Sequence, residues 1–251
     1  MALLKKHIAI YREIIFVFTK HGFGLLLEQL GLYRYLNLTQ KRLHVGDNLE
    51  HFKLSPGQRL RLSLEELGPT FVKLGQILST RPDILPADVI EELKKLQSSV
   101  KPFPFSLVKE CIETEFEDCL DRIYPEFEEE PVASASISQV HRATLATGKQ
   151  VAVKVQRPGI EKIIEADLDI LKDLAHFIDH HTKYGKLYDL SGMVAEFETT
   201  IKNELDFTKA GENADIFRKN FRYDKGIAVP QIRWIYTTKR ILTMEYIDGI
   251  P

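Results

Sequence analysis

Apolar residues in the first half of the chain recur at spacings of three and four, the period of an amphipathic helix. Phe71, Leu74 and Leu78 form one such stripe, and Lys73, Gln76 and Thr80 lie on another stripe of the same segment. Ser55-Pro56-Gly57-Gln58 supplies the start of a helix. The serine can cap, proline suits the first helical position, and the glutamine completes a capping box. Gly68-Pro69 interrupts this helix and restarts it. Arg81-Pro82 and Leu85-Pro86 then end it, because proline restricts the residue before it. Ala87 to Gln97 and Ser106 to Asp118 predict two more helices.

The texture changes near residue 121. Phe127 to Pro131 predicts an edge strand, and Gln139 to Thr144 a second strand. Gln150 to Gln156 alternates and is rich in valine, which predicts a third strand half buried on one face. Thr147-Gly148-Lys149 is the turn between the last two, and Arg157-Pro158-Gly159 closes the unit. Two long helical stripes follow. One runs from Ile160 through Ile164, Leu168 and Ala175 to Ile178. The other runs through Val194, Phe197, Ile201 and Leu205, and continues slightly shifted through Phe207, Ala210, Ala214, Phe217 and Phe221. Gln231 to Tyr236 and Arg240 to Ile247 predict a final hairpin around Thr237-Thr238-Lys239. The expected organisation is a helical region over residues 1–120 and a strand-bearing region over 121–251. The order of three strands, helices and two strands is that of a kinase small lobe. The predicted class is therefore α+β, a five-stranded antiparallel sheet with helices behind an N-terminal helical extension.

Composition narrows the functional classes. The 251 residues are 44% hydrophobic and 28% charged, enough apolar material for a core. The net charge of −2, with no basic run interleaved with aromatics, argues against a nucleic-acid partner. Cys111 and Cys119 match no zinc spacing and make no disulfide framework, so a reduced, cytoplasmic protein is expected. Near the N-terminus, the apolar run Ile14 to Phe18 is flanked closely by Arg12, Glu13 and Lys20. A spanning helix needs about 20 apolar residues, so this run does not span. Nor does it have the h-region and cleavage site of a signal peptide. It suits either a helix lying peripherally on a membrane surface or one packed on the rest of the protein.

The chemistry signals lie on the third strand and the segment before it. Val151-Ala152-Val153-Lys154 places a lysine beside a small residue, the V-A-I-K arrangement in which lysine pairs with nucleotide phosphates and alanine leaves room for adenine. The preceding segment, Val132-Ala133-Ser134-Ala135-Ser136-Ile137-Ser138-Gln139, has no glycine where kinases place a glycine-rich loop. Small side chains still permit close approach and the serines add hydroxyl donors. Alanine and serine avoid positive φ, so a stiffer loop of different shape is expected.

These residues resemble the UbiB family of atypical kinases. Lys73-Leu74-Gly75-Gln76 matches its K-x-G-Q motif, and Ala133 to Val140 resembles its alanine-rich loop. Val151 to Gly159 resembles its lysine strand and Asn203 to Phe207 its E-x-D motif. Met244-Glu245-Tyr246-Ile247-Asp248-Gly249 resembles its hinge. The resemblance implies binding of ATP with magnesium, ATP hydrolysis, and support of ubiquinone or related isoprenoid-lipid biosynthesis at membranes. It implies that Lys154 is the phosphate lysine, and that Ala133, Ser134, Ala135, Ser136, Ile137, Ser138, Ala152, Met244, Glu245, Tyr246 and Ile247 surround the nucleotide. Lys73 and Gln76 would reach into that site, with Glu204 and Asp206 holding Lys73.

Two departures from the pattern bear on function. The glutamate expected four residues after the E-x-D aspartate is Ala210 here, so Lys154 is expected to pair with Asp206 or to lack a tight partner. The chain also ends at Ile250-Pro251 without a catalytic-loop aspartate or a D-F-G aspartate, which are the magnesium and catalytic groups of a large lobe. A part of a longer enzyme is the leading expectation. A non-catalytic module that binds nucleotide or a partner protein is the alternative.

Overall fold

The computed structural model describes residues 2–35, 54–96, 101–182, 185 and 188–249. The chain forms two compact units. One comprises Met1–Gln97 with Lys162–Glu198, the other Ser98–Glu161 with Thr199–Pro251.

The first unit is helical. It contains α1 (Ala2–Phe18), a π-helical turn (Thr19–Phe23), α2 (Gly24–Gln29), α3 (Leu32–Tyr35), α4 (Pro56–Leu67), α5 (Pro69–Leu78) and α6 (Ala87–Leu93). Most of α9 (Ile160–His181) and the first half of α10 (Leu190–Leu205) belong with it. The capping box forms as expected. Ser55 Oγ accepts from Gln58 N at 3.2 Å, while Gln58 Oε1 accepts from Ser55 N at 3.0 Å. Gly68, at φ +100°, separates α4 from α5 in a conformation that side chains resist. The buried face of α1 joins the core of this unit, where Tyr11 and Ile14 meet Leu64, Phe71, Val72, Leu93, Leu96 and Ile170. Part of the apolar face of α1 is thus packed on the protein, while Phe16 stays exposed. No helix among the described residues is long and apolar enough to cross a membrane. At the end of α9, the Asp179 carboxylate accepts from Ser191 N (2.8 Å), Ser191 Oγ (2.6 Å) and Leu190 N (3.2 Å), capping α10. The helix predicted over Ala87 to Gln97 ends at Leu93, and Gln97 lies outside the described residues.

The second unit is built on a five-stranded antiparallel sheet with the path β1 (Glu126–Phe127), β3 (Ser138–Thr144), β4 (Gln150–Gln156), β5 (Ile241–Glu245). The fifth strand, β2 (Ala133–Ser134), also pairs with β3. On one face, Val151, Val153, Val155, Ala143 and Ile241 meet α7 (Phe105–Phe116) and α8 (Leu120–Ile123) through Val108, Ile112, Leu120 and Ile123. On the other, α11 (Phe207–Asn220) packs on β5 through Phe207, Leu242 and Ala214. The alternation read from the sequence of β4 is therefore the observed one, with valines inward and Ala152 and Lys154 on the opposite face.

Three expectations change. The predicted strand over Gln231–Tyr236 is an isolated bridge, Ile232 to Met244, followed by a 3-10 turn at Trp234–Tyr236. Trp234 leaves the strand because its ring lies against Gly211 and its Nε1 donates to Asp215 Oδ2 at 2.8 Å. The edge strand expected to reach Pro131 stops at Phe127, with one further bond from Glu128 N to Arg142 O. Proline has no N–H to extend that ladder. Lastly, the stripe that shifted after Leu205 is two helices, because Asp206 caps α11 in an extended conformation.

Candidate functional site

The candidate side chains Ala152, Lys154 and Met244 lie on the α11 face of the sheet. Register places Lys154 opposite Val140 on one side and Leu242 on the other, and Ala152 opposite Arg142 and Met244. Val140, Ala152, Lys154 and Met244 are half buried, whereas Leu242 is covered. The face thus offers a narrow strip of small and flexible apolar groups ending in a cation. The Lys154 ammonium lies 4.7 Å from the centroid of the fully buried Phe207 ring, a cation–π contact. Arg142 borders the other end, donating to Gln150 Oε1 at 2.7 Å and lying 4.6 Å from the Tyr246 ring centroid.

The E-x-D residues come to the same end of β4. Gln156 Nε2 donates to Leu205 O at 2.8 Å, fixing the junction of α10 and α11 beside the strand. Glu204 sits in the last turn of α10. The Asp206 carboxylate caps α11, with Oδ1 accepting from Thr208 N at 3.1 Å and Thr208 Oγ1 at 2.5 Å. The two acids therefore belong to different helices. Ala210 is exposed on α11. Lys73 and Gln76 lie on α5 in the first unit. Lys73 is half buried, and Gln76 Nε2 donates to Leu96 O at 3.0 Å. Between them Gly75 is buried against leucines, so the glycine of K-x-G-Q is a packing residue.

The alanine-rich segment is a tight hairpin. Ala133 pairs with Val140 and so lies on the Lys154 face, while Ser134, opposite Gln139, lies on the other. The turn closes with Ala135 N donating to Ser138 O at 2.7 Å. Ser136, Ile137 and Ser138 are all buried, and Ser134 Oγ is buried with no hydrogen-bond partner among the described residues. Ser136 to Ser138 are thus covered, backbone and side chain alike, and Ala133 to Ala135 are the part of the hairpin that meets solvent. Toward the hinge, Met244 shares the Lys154 face. Glu245 N donates to Gln231 O (2.9 Å), and Tyr246 N donates to Gln150 O (3.3 Å). Ile247 and Glu245 line an open groove of about 320 Å³ together with Arg218, Phe221 and Ile227.

Three residues that support this face lie inside the quoted motifs, but the sequence does not show what they touch. Gln139 holds the backbone of Phe103 with both ends of its amide, N–H to Oε1 at 3.0 Å and Nε2 to carbonyl at 3.3 Å. That orientation makes its Nε2 the donor to His141 Nε2 at 2.9 Å, so His141 carries its proton on Nδ1 and donates to Glu128 O at 2.8 Å. Burial lowers the pKa of His141, with the Glu128 carbonyl and Glu130 opposing it. Arg157 and Phe207 are the other two. The sequence placed them at the close of the lysine strand and the end of the E-x-D segment, with no role for either side chain.

Residues 95–251 match the ABC1 atypical kinase-like domain. Over 199 residues, 79% of this chain and 36% of its own length, the "Probable protein kinase UbiB" of Marinobacter nauticus is 48% identical. The protein of that name from Xylella fastidiosa is 42% identical over 94% of this chain and 42% of its own length. The chloroplastic "ACTIVITY OF BC1 COMPLEX KINASE 7" of Arabidopsis thaliana is 42% identical over 76% of this chain and 27% of its own length. Among solved structures, the Mycobacterium tuberculosis Rv3197–erythromycin complex is similar with a TM-score of 0.56 and 27% identity, covering 85% of this chain and 52% of that one. The chain thus spans about two fifths or less of the length of these curated relatives.

Proposed function

This chain belongs to the ABC1 atypical kinase-like family, and on that premise we propose that its second unit binds ATP on the Lys154 face of the sheet. It would do so as part of a UbiB-like ATPase or kinase that supports biosynthesis of ubiquinone or a related isoprenoid lipid. The observation that carries the reading is one sheet face on which Ala152, Met244 and Lys154 meet the Glu204–Phe207 junction. A flat base needs a small residue above it, and Ala152 beside Met244 fits that need. A triphosphate needs a fixed cation, and Lys154 is held at the far end of the same strip. Ala133 and Ala135, exposed and half buried on the hairpin, present small side chains that suit close approach by a phosphate. Glu204 and Asp206 are proposed to shape the catalytic side of the site. Among the described residues no group of three His, Cys, Asp or Glu side chains comes together to hold a magnesium ion.

Calorimetric titration with ATP tests the reading, with Lys154→Ala as control. Saturable binding that weakens in the variant supports the assignment, and equal binding by both proteins removes it. Ala210 favours a second reading, a nucleotide-binding module without turnover, because that position offers no carboxylate. ATP binding with no hydrolysis by the full-length protein would select it. Peripheral membrane association would fall to Phe16, Leu25 and Leu26, which remain exposed beside the packed face of α1. Flotation with anionic vesicles, against Phe16→Ser/Leu25→Ser/Leu26→Ser, tests this. Flotation unchanged by the substitutions, or none by the native protein, would reject it.

A further inference from the structure

We infer that Arg157 is a positioning residue that sets the direction of the amides in the alanine-rich turn, an inference that rests on the nucleotide reading for its purpose but not for its geometry. Arg157 reaches the turn twice. Its backbone N–H donates to Ile137 O at 2.8 Å, and its Nε donates to Ser136 O at 3.3 Å. Its Nη2 donates to Lys101 O at 3.2 Å, and its guanidinium lies 5.0 Å from the Phe103 ring centroid. Phe103 in turn is gripped by Gln139, the residue that follows the turn on β3. Arg157, the 101–103 segment and Gln139 therefore form one brace behind residues 136–138.

The brace has a stereochemical consequence. In a trans peptide the carbonyl and the following N–H point in opposite directions across one rigid plane. Drawing the Ser136 and Ile137 carbonyls onto Arg157 turns the amides of Ile137 and Ser138 away from it. A turn without glycine cannot reach that arrangement through positive φ, and no residue of the turn has a positive φ. An external donor pair does the work instead. Partial burial lowers the pKa of Arg157 from the ordinary guanidinium value, but it stays charged at any working pH, so the brace is permanent. Lysine could keep the backbone bond to Ile137 O but not the planar fork that serves Ser136 and Lys101 together.

The full-length protein with Arg157→Ala and Arg157→Lys tests this in two arms. The first needs no nucleotide. Amide hydrogen exchange at Ile137, whose peptide carries the Ser136 carbonyl, should quicken about tenfold in Arg157→Ala, the loss expected for a charged donor to a carbonyl, while Ser138, set by the retained backbone bond, and the β4 amides stay unchanged. Arg157→Lys should fall between. Unchanged exchange at the turn, or acceleration equal to that of β4, overturns the inference whatever the protein binds. The second arm compares ATP with adenosine. Arg157→Ala should lose about tenfold for ATP and less than about twofold for adenosine, because only phosphates meet the turn. Equal loss for both ligands would make Arg157 merely structural. Failure of the native protein to bind either ligand would refute the nucleotide reading, leaving the exchange arm to judge the brace alone.

Discussion

Substitution of Gly75 by alanine separates packing from helix propensity, because the two predict opposite signs. Gly75 is in the middle of α5, where alanine is normally better than glycine by about 1 kcal/mol. A Cβ at that position would lie 2.3 Å from Leu96 Cδ1 and 2.7 Å from Leu64 Cδ1, with Leu93 Cδ2 at 3.7 Å. Leucine ends can rotate, but Leu96, Leu64 and Leu93 are 4%, 3% and 0% exposed and have no open space to enter. Overpacking of this kind costs about 1–3 kcal/mol. Crowding therefore outweighs propensity, and Gly75→Ala should destabilise the protein by about 1 kcal/mol net. Urea unfolding followed by helical circular dichroism reads the change as a lower midpoint at unchanged slope. Leu96→Val retracts the nearer methyl, so the double variant should recover part of the loss as a favourable coupling. A midpoint raised by Gly75→Ala would refute the argument and show that α4 and α6 yield to the added methyl.

Other consequences can be measured in the second unit, where Trp234 is the sole tryptophan and its fluorescence reports unfolding. Thr243 Oγ1 donates to Tyr236 O at 2.6 Å, so Tyr124 must donate to Thr243 at 2.7 Å. Burial pushes the Tyr124 pKa up, and Tyr124→Phe should cost about 1–2 kcal/mol by leaving that oxygen short of a donor. The depressed pKa of His141 means that the unfolded state binds more protons below the ordinary imidazole value near 6.5. Stability should therefore be flat above neutrality and fall as pH drops from about 6.5 toward the folded-state pKa, and His141→Leu should flatten that fall in melts at about pH 7.5 and about pH 5.5. A profile unchanged by the substitution would place the titration elsewhere. Ala210→Glu adds a carboxylate three residues beyond Phe207 on α11, and should raise ATP affinity about fivefold if it steadies the Lys154 ammonium. A fall in affinity would mean that the ammonium is drawn away from the ligand.

Local chemistry made the clearest parts of the fold legible. The capping box at Ser55–Gln58 needs only residues three apart, and β4 announces itself by alternation with valine on its buried face. Both appear with the expected bounds. Pairing between distant residues was harder to read. Ala133–Ser134 has weak strand propensity and becomes β2 only because β3 lies beside it. The segment from Gln231 has good strand character, yet the seat for Trp234 against Gly211 overrides it. The break at Asp206 left a trace in the phase slip of the apolar stripe, which a capping reading of that aspartate would have explained. Within the candidate site, Ala152, Lys154 and the E-x-D residues were visible as motifs. The Phe207 ring beneath Lys154 and the Arg157 brace were not, because an aromatic on a helical stripe reads as core and an arginine before Pro-Gly reads as a strand end.

The nucleotide face can be interrogated directly by methyl NMR. Ala152 and Met244 lie on the Lys154 face, whereas Ala143 lies on the valine face with α7 and α8. Titration with ATP should shift the Ala152 and Met244 methyl resonances together, leave Ala143 in place, and lose those shifts in Lys154→Ala. Shifts confined to Ala143, or shifts at Ala152 and Met244 that persist unchanged in Lys154→Ala, would contradict the account.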